Sequence, residues 1–172
     1  MDKIVIQSVI ADEGSKVDLA KYLFTYICML RAANIWFHSA HHLTHGISFA
    51  GDHAILYDKI YTDFQDKLDG VIEKAIGLTD KSVADPHQIM MGACQIVCAY
   101  PSPADLTSTA IAAAGLTIVK EVIKFLEMMF KTLEASNSLS LGLSDMLPSH
   151  ASDFETFAYL LKQRVMIELE EQ

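Results

Sequence analysis

Chain breakers are scarce here, with four prolines and eight glycines spread over 172 residues. Long uninterrupted periodic stretches remain, which read as helices, and no stretch reads as a strand or an internal repeat. Cysteine is scarce as well. Cys28, Cys94 and Cys98 are odd in number and match neither a disulfide framework nor a zinc Cys-x-x-Cys pair, so they read as core thiols of a reducing compartment. Positive charge is in deficit, with a formal net charge of -9 and a pI of about 5.1. No Lys/Arg cluster marks either end, so phosphate contacts would be made against a repulsive field: nucleic acid is a poor partner, and cations are favoured.

Long apolar runs are missing too. The longest uncharged candidate, Leu106 to Val119, is interrupted by threonines and a serine and falls short of the roughly 18 residues that a membrane span needs. It reads as a buried helix, and no membrane association is expected. Met1 to Lys16 lacks the charged, apolar, small-residue order of a secretory leader, so the expected location is the cytoplasm.

What is abundant is apolar surface, with 51% hydrophobic residues and a mean hydropathy of +0.25. The length suits one domain over residues 1–172, and a single domain this apolar is expected to bury part of its surface against other copies of itself. A first helix is expected from near Ser15 to His45, stopping at Gly46, with Leu19, Leu23, Tyr26, Leu30 and Ala33 on one face. A second is expected from about Gly51 to Ile76, with Leu56, Ile60, Phe64, Leu68 and Ile72 at every fourth position. Between residues 78 and 101 the pattern allows one short helix, Ile89 to Tyr100. Ser102 before Pro103 reads as the cap of a third long helix reaching about Ala135, where Gly115 permits close packing. Ser144 reads as the cap of a fourth, with Pro148 in its first turn and an acidic end at Glu168, Glu170 and Glu171. The expected fold is therefore all-α: an antiparallel four-helix bundle of ferritin-like topology, with a short extra helix in the connection between the second and third long helices.

The chain's dense set of metal-ligand types lies at the first helical junction. His38, His41, His42 and His45 crowd the end of the first helix, and His53 opens the second. Farther along, Asp58, Asp69 and Glu73 fall within about 60° of one another around a helix, whereas Asp63 and Asp66 read as a solvated face. Imidazole and carboxylate together suit a first-row metal. A metal pair inside one bundle would take a Glu from each of two helices and a Glu-x-x-His from each of the other two. This chain cannot supply them: the first helix has no acid after Asp18, Glu73 is followed three residues on by Ile76, and Glu155 by Ala158. The acids and histidines must meet between neighbouring subunits or not at all.

The run Ala40-His41-His42-Leu43-Thr44-His45-Gly46-Ile47-Ser48-Phe49, followed by His53 and then by Asp69 and Glu73, resembles the Dps-type mini-ferritins. Their pattern is Ala-His-Trp, three residues, Gly, two residues, Phe, a later His, then Asp-x-x-x-Glu. Segments from Ser144 to Leu147 and from Tyr159 to Leu161 also resemble elements of that family, so the likeness spans most of the chain. It implies a hollow twelve-subunit cage that oxidises Fe(II) with peroxide or oxygen at inter-subunit sites and stores the ferric product. Carried over, His41 and His53 are the histidine ligands and Asp58, Asp69 and Glu73 the carboxylates, with His41, Asp69 and Glu73 central to the oxidation. His38, His42 and His45 are further possible ligands. Two departures stand out. His42 replaces the family's Trp, and the interval from His53 to Asp58 is one residue longer than the family's. One extra residue within a helix turns everything beyond it by about 100°, which would set His53 out of register unless the insertion falls before the helix starts.

Two other classes stay open: a ferritin-fold structural or interaction protein with little or no ferroxidase activity, and a His-rich bundle that binds zinc or another divalent metal without redox chemistry. Met90, Met91, Cys94, Cys98 and Trp36 read as core packing.

Overall fold

The computed structural model describes residues 17–170. The expectations placed on Met1 to Lys16, including a helix start near Ser15, and on Glu171 lie outside those residues. Every regular element among the described residues is helical.

Helix α1 spans Leu19–Leu43, begun by the Asp18 carboxylate, which accepts the Lys21 backbone N–H at 3.1 Å. It ends earlier than expected. Thr44 turns extended and Gly46 adopts a φ of +82°, a conformation natural to glycine, so His45 lies beyond the helix. The next helical stretch opens with one α turn, Phe49–Gly51, passes through a π turn, Asp52–Tyr57, and continues as α2, Asp58–Leu78. A 3-10 turn, Lys81–Ala84, leads to α3, Pro86–Val97. This helix starts and ends three residues before the expected short helix, because Asp85 caps it through the N–H groups of His87 and Gln88, with Pro86 at the first position.

Two expected starts are corrected. Ser102 caps only a 3-10 turn, Pro103–Asp105; Leu106 is then extended, and α4, Ser108–Ala135, is capped by the Thr107 hydroxyl. The last helix, α5, spans Leu141–Glu170, and it is the Ser140 hydroxyl, not that of Ser144, that accepts the first free N–H, from Leu143. Burial explains the earlier start: Leu143 and Leu147 lie one helical turn apart and both are buried. Pro148 therefore falls inside the helix and leaves the Ser144 carbonyl without its usual donor.

Short links at residues 44–48 and 136–140 pair α1 with α2 and α4 with α5, while α3 crosses over between the two pairs and packs on α1. The expected topology, with its helix in the long middle connection, is what the chain adopts. Tyr26, Ile27, Leu30, Ala33 and Phe37 of α1 meet Ile60, Phe64, Leu68 and Val71 of α2, all at 0% exposure. A Cβ on Gly115 would lie 2.9 Å from the Phe37 ring, so glycine is what lets α4 approach α1 this closely. Trp36 packs edge-on against Phe37 and donates its indole N–H to the Pro101 carbonyl at 2.8 Å, a packing role as expected.

The interior also holds charge. Lys67, on the inward side of α2, bonds Asp63 and Asp153, both at 2.8 Å. Asp63 is thus not a solvated-face residue: lying one turn from Lys67 on the same face, it is drawn inward by that ion pair. Nearby, the Tyr26 hydroxyl and Nδ1 of His150 share a hydrogen bond at 2.9 Å, and burial, followed by the Lys67 charge, pulls the His150 pKa down to about 4. No helix among the described residues is long and apolar enough to cross a membrane.

Candidate metal centre

The histidine end of α1 and the start of the next helical stretch are held by three ties that single-residue reading could not find. Ser108, at the start of α4, donates its hydroxyl to the His45 carbonyl at 2.7 Å and accepts the His45 N–H at 2.9 Å, satisfying backbone groups just past the end of α1. Asp52, 3% exposed, takes the Arg164 Nε–H on both carboxylate oxygens, at 2.9 and 3.0 Å, and accepts the Thr44 hydroxyl. Arg164, reaching in from α5, also donates to the Ser48 hydroxyl. A buried, forked pair of this kind fixes orientation as well as position. In sequence, Asp52 was visible only as a polar neighbour of His53; Arg164 stands far away and carries no local signal.

Within this frame His41 and His53 face each other with ring centroids 3.8 Å apart and planes 21° from parallel. Nδ1 of His41 donates to the His53 carbonyl at 2.8 Å, and Nδ1 of His53 donates to the His41 carbonyl at 2.7 Å. A carbonyl cannot donate, so both protons must sit on Nδ1. In the neutral form of each ring Nε2 then carries the lone pair, the state in which imidazole binds a metal. His41 is 8% exposed, and burial lowers its pKa, a direction reinforced by the His53 and His42 charges and opposed by its bond to the His53 carbonyl and by Asp58.

Tyr61 joins the histidines to Asp58. Its hydroxyl donates to the Asp58 carboxylate at 2.9 Å, and its ring lies 5.3 Å from His41 and 4.8 Å from His38. Asp58 thus stands with the histidines of its own chain, not with Asp69 and Glu73. His42 and His38 are exposed, with their Nε2 atoms 3.3 Å apart, so that one must carry a proton toward the other. His45 turns its Nδ1 to the Leu43 carbonyl at 3.2 Å and joins none of the other rings.

The remaining acids stand apart. Asp69 lies 11 residues beyond Asp58, or about 16 Å along a helix, and is exposed, accepting the Gln65 side-chain N–H at 3.1 Å. Glu73 is exposed one turn farther on. Among the described residues, no three His, Cys, Asp or Glu side chains come together closely enough within one chain to hold a metal.

The longer interval between His53 and Asp58 coincides with the π turn Asp52–Tyr57. A π turn closes i→i+5 hydrogen bonds and so takes up one residue more than an α turn, absorbing an insertion without rotating the helix beyond it. His53 packs on His41 while Ile60, Phe64 and Leu68 keep their places in the core.

Comparison with solved structures gives the architecture its context. The tetragonal form of Mycobacterium smegmatis Dps superimposes with a TM-score of 0.71 at 22% identity, over 83% of this chain and 82% of that one. The chain has the ferritin-like fold of Dps. No protein-family model and no curated protein matches the sequence. A shared fold does not by itself assign chemistry.

Proposed function

We propose that this protein is a Dps-like ferritin, a homo-oligomeric cage that takes Fe(II) as substrate, oxidises it with peroxide or oxygen, and retains the ferric product. In this reading His41 and His53, with Asp58 beside them, form one half of each site, and Asp69 and Glu73 of a neighbouring copy form the other. His38 and His42, at the exposed rim, are positioned to take part in iron entry. The observation that carries the reading is the reciprocal Nδ1–H bonding of His41 and His53, which leaves two lone pairs available in a chain whose matching carboxylates lie too far away to use them. Imidazole and carboxylate bind Fe(II) loosely enough for turnover and leave open positions for an oxidant.

A second observation supports assembly. Leu43 (41%), Ile47 (105%), Phe49 (43%) and Ile55 (73%) are exposed around the same junction, and the Phe49 ring stacks on His53 at 4.9 Å. Apolar side chains gathered at a half-built site are what a subunit contact would cover.

The test is complementation. Purified wild type should oxidise Fe(II) rapidly, with ferric absorbance as the readout, while His41→Ala and the pair Asp69→Ala, Glu73→Ala should each be slow. Co-assembling the two defective forms should restore about a quarter of the sites, since half of the contacts are mixed and each mixed contact regains one intact site. Wild type no faster than the variants would refute oxidation and leave a ferritin-fold structural role. A stable monomer would refute the shared site, and tight zinc binding without iron turnover would favour a non-redox bundle.

A further inference from the structure

Helix α3 buries Ile89, Ala93 and Ile96 and turns its opposite side to solvent. That outer side carries side chains that normally avoid water. Cys94 and Cys98 are both exposed, as are Met90 (52%) and Met91 (54%), so the expectation that these residues pack in the core is corrected for all four. Cys28 alone is the buried thiol. At about 100° per residue, His87, Met91, Cys94 and Cys98 fall within about 60° of one another and form a single soft-ligand stripe. The two sulfurs lie 3.8 Å apart on the last turn of the helix, whose carbonyl end favours positive charge.

We propose that Cys94 and Cys98 form a thiolate site for a soft monovalent metal ion of the Cu(I) class, with the Met91 thioether one turn away as an additional ligand. Two sulfurs that bind one ion at about 2.3 Å with an angle between 110° and 120° lie about 3.8–4.0 Å apart, the separation these two already have. A disulfide fits the pair poorly. Residues four apart on a helix hold their Cβ atoms about 5–6 Å apart, whereas a disulfide needs about 3.5–4.5 Å. Zinc would require more nitrogen, oxygen or thiolate ligands, and among the described residues no third His, Cys, Asp or Glu joins the pair. Soft thiolate and thioether donors in low number select Cu(I). Binding forms two thiolate–metal bonds and releases the two thiol protons, the neutral Met91 thioether adds the third bond that a 110–120° angle implies, and no electron is transferred. The site involves none of the residues assigned to iron and stands independently of that reading.

The experiment titrates the reduced, full-length, assembled protein with Cu(I) under anaerobic conditions against bicinchoninate. Wild type should withhold one equivalent per chain. Cys94→Ser, Cys98→Ser should lose affinity by on the order of 100-fold or more, while Cys28→Ser should retain it. As a check that needs no variant, alkylating the native wild-type thiols should abolish binding. Equal retention by wild type and the double variant, zinc held as tightly as Cu(I), or thiols in the assembled protein that do not react with the alkylating agent would each overturn the proposal.

Discussion

Removing Ala54 takes one residue out of the π turn Asp52–Tyr57, at a position where the side chain is exposed. If the π turn is a local store for one surplus residue, deletion converts it to an α turn and leaves both flanks where they were. Asp52 would still reach Arg164, and Tyr57 would still be buried, so the expected change in stability is within about 1 kcal/mol, or a few degrees in Tm for a domain of this size. Removing Thr62, equally exposed but within the regular part of α2, is the control. It turns Phe64, Leu68 and Val71, each at 0% exposure, about 100° away from the core. At about 1.5–3 kcal/mol for each large side chain, that forfeits roughly 5–9 kcal/mol, comparable to the whole stability of a typical domain. Thermal unfolding followed by circular dichroism, at matched protein concentration, reads the difference. Equal damage from the two deletions would refute the idea that the π turn isolates the histidine half of the site from the helix beyond it.

Three further outcomes are expected. Arg164→Ala strands the buried Asp52 carboxylate and should cost about 3–5 kcal/mol in chemical denaturation, with Asp52→Ala adding little on top; independent, additive losses would show that the two residues do not act as a pair. His150 has a folded pKa near 4 against an ordinary 6.5, so the unfolded chain binds the extra proton between these values and stability falls as pH drops through that window. After allowance for solvent screening, wild type should lose on the order of 1–2 kcal/mol more than His150→Asn between pH 7 and pH 4, and parallel pH profiles would contradict this. Gly115→Val drives a branched side chain into the Phe37 ring and should lower stability by about 1–3 kcal/mol; an unchanged Tm would mean that α4 does not approach α1 closely there.

The long helices were legible in the sequence because their apolar residues recur at three and four, and Leu23, Leu30, Phe64 and Leu68 are buried as that pattern requires. Starts were less legible where cap-forming residues compete. Ser102 and Thr107 both cap something, whereas of Ser140 and Ser144 only Ser140 does, and the burial of Leu143 decides that case. Periodicity also misled on α3, where Cys94 and Met91 look like core residues by composition but face away from Ile89 and Ile96. At the candidate centre, the histidines were visible as a stripe, but their mutual backbone bonds and the Asp52–Arg164 pair depend on chain segments brought together only by folding.

The two halves of the proposed centre are positioned by different physics. Asp69 and Glu73 ride on an uninterrupted amphipathic helix, so their direction is set by the core stripe of Ile60, Phe64, Leu68 and Val71 on its other side. His41 and His53 owe their geometry to helix ends, where backbone groups lack helical partners and are satisfied by one another, by Ser108 and by the anchor that Arg164 provides to Asp52. A rigid strip of carboxylates needs no local support, whereas a pair of imidazoles at a chain reversal does. That difference explains why an extra residue could be accommodated beside His53 and would not be accommodated between Asp58 and Glu73. It also locates the substitutions that would test the proposed metal affinity without disturbing the fold: in the π turn and its ties to α4 and α5, on the histidine side of the proposed subunit contact.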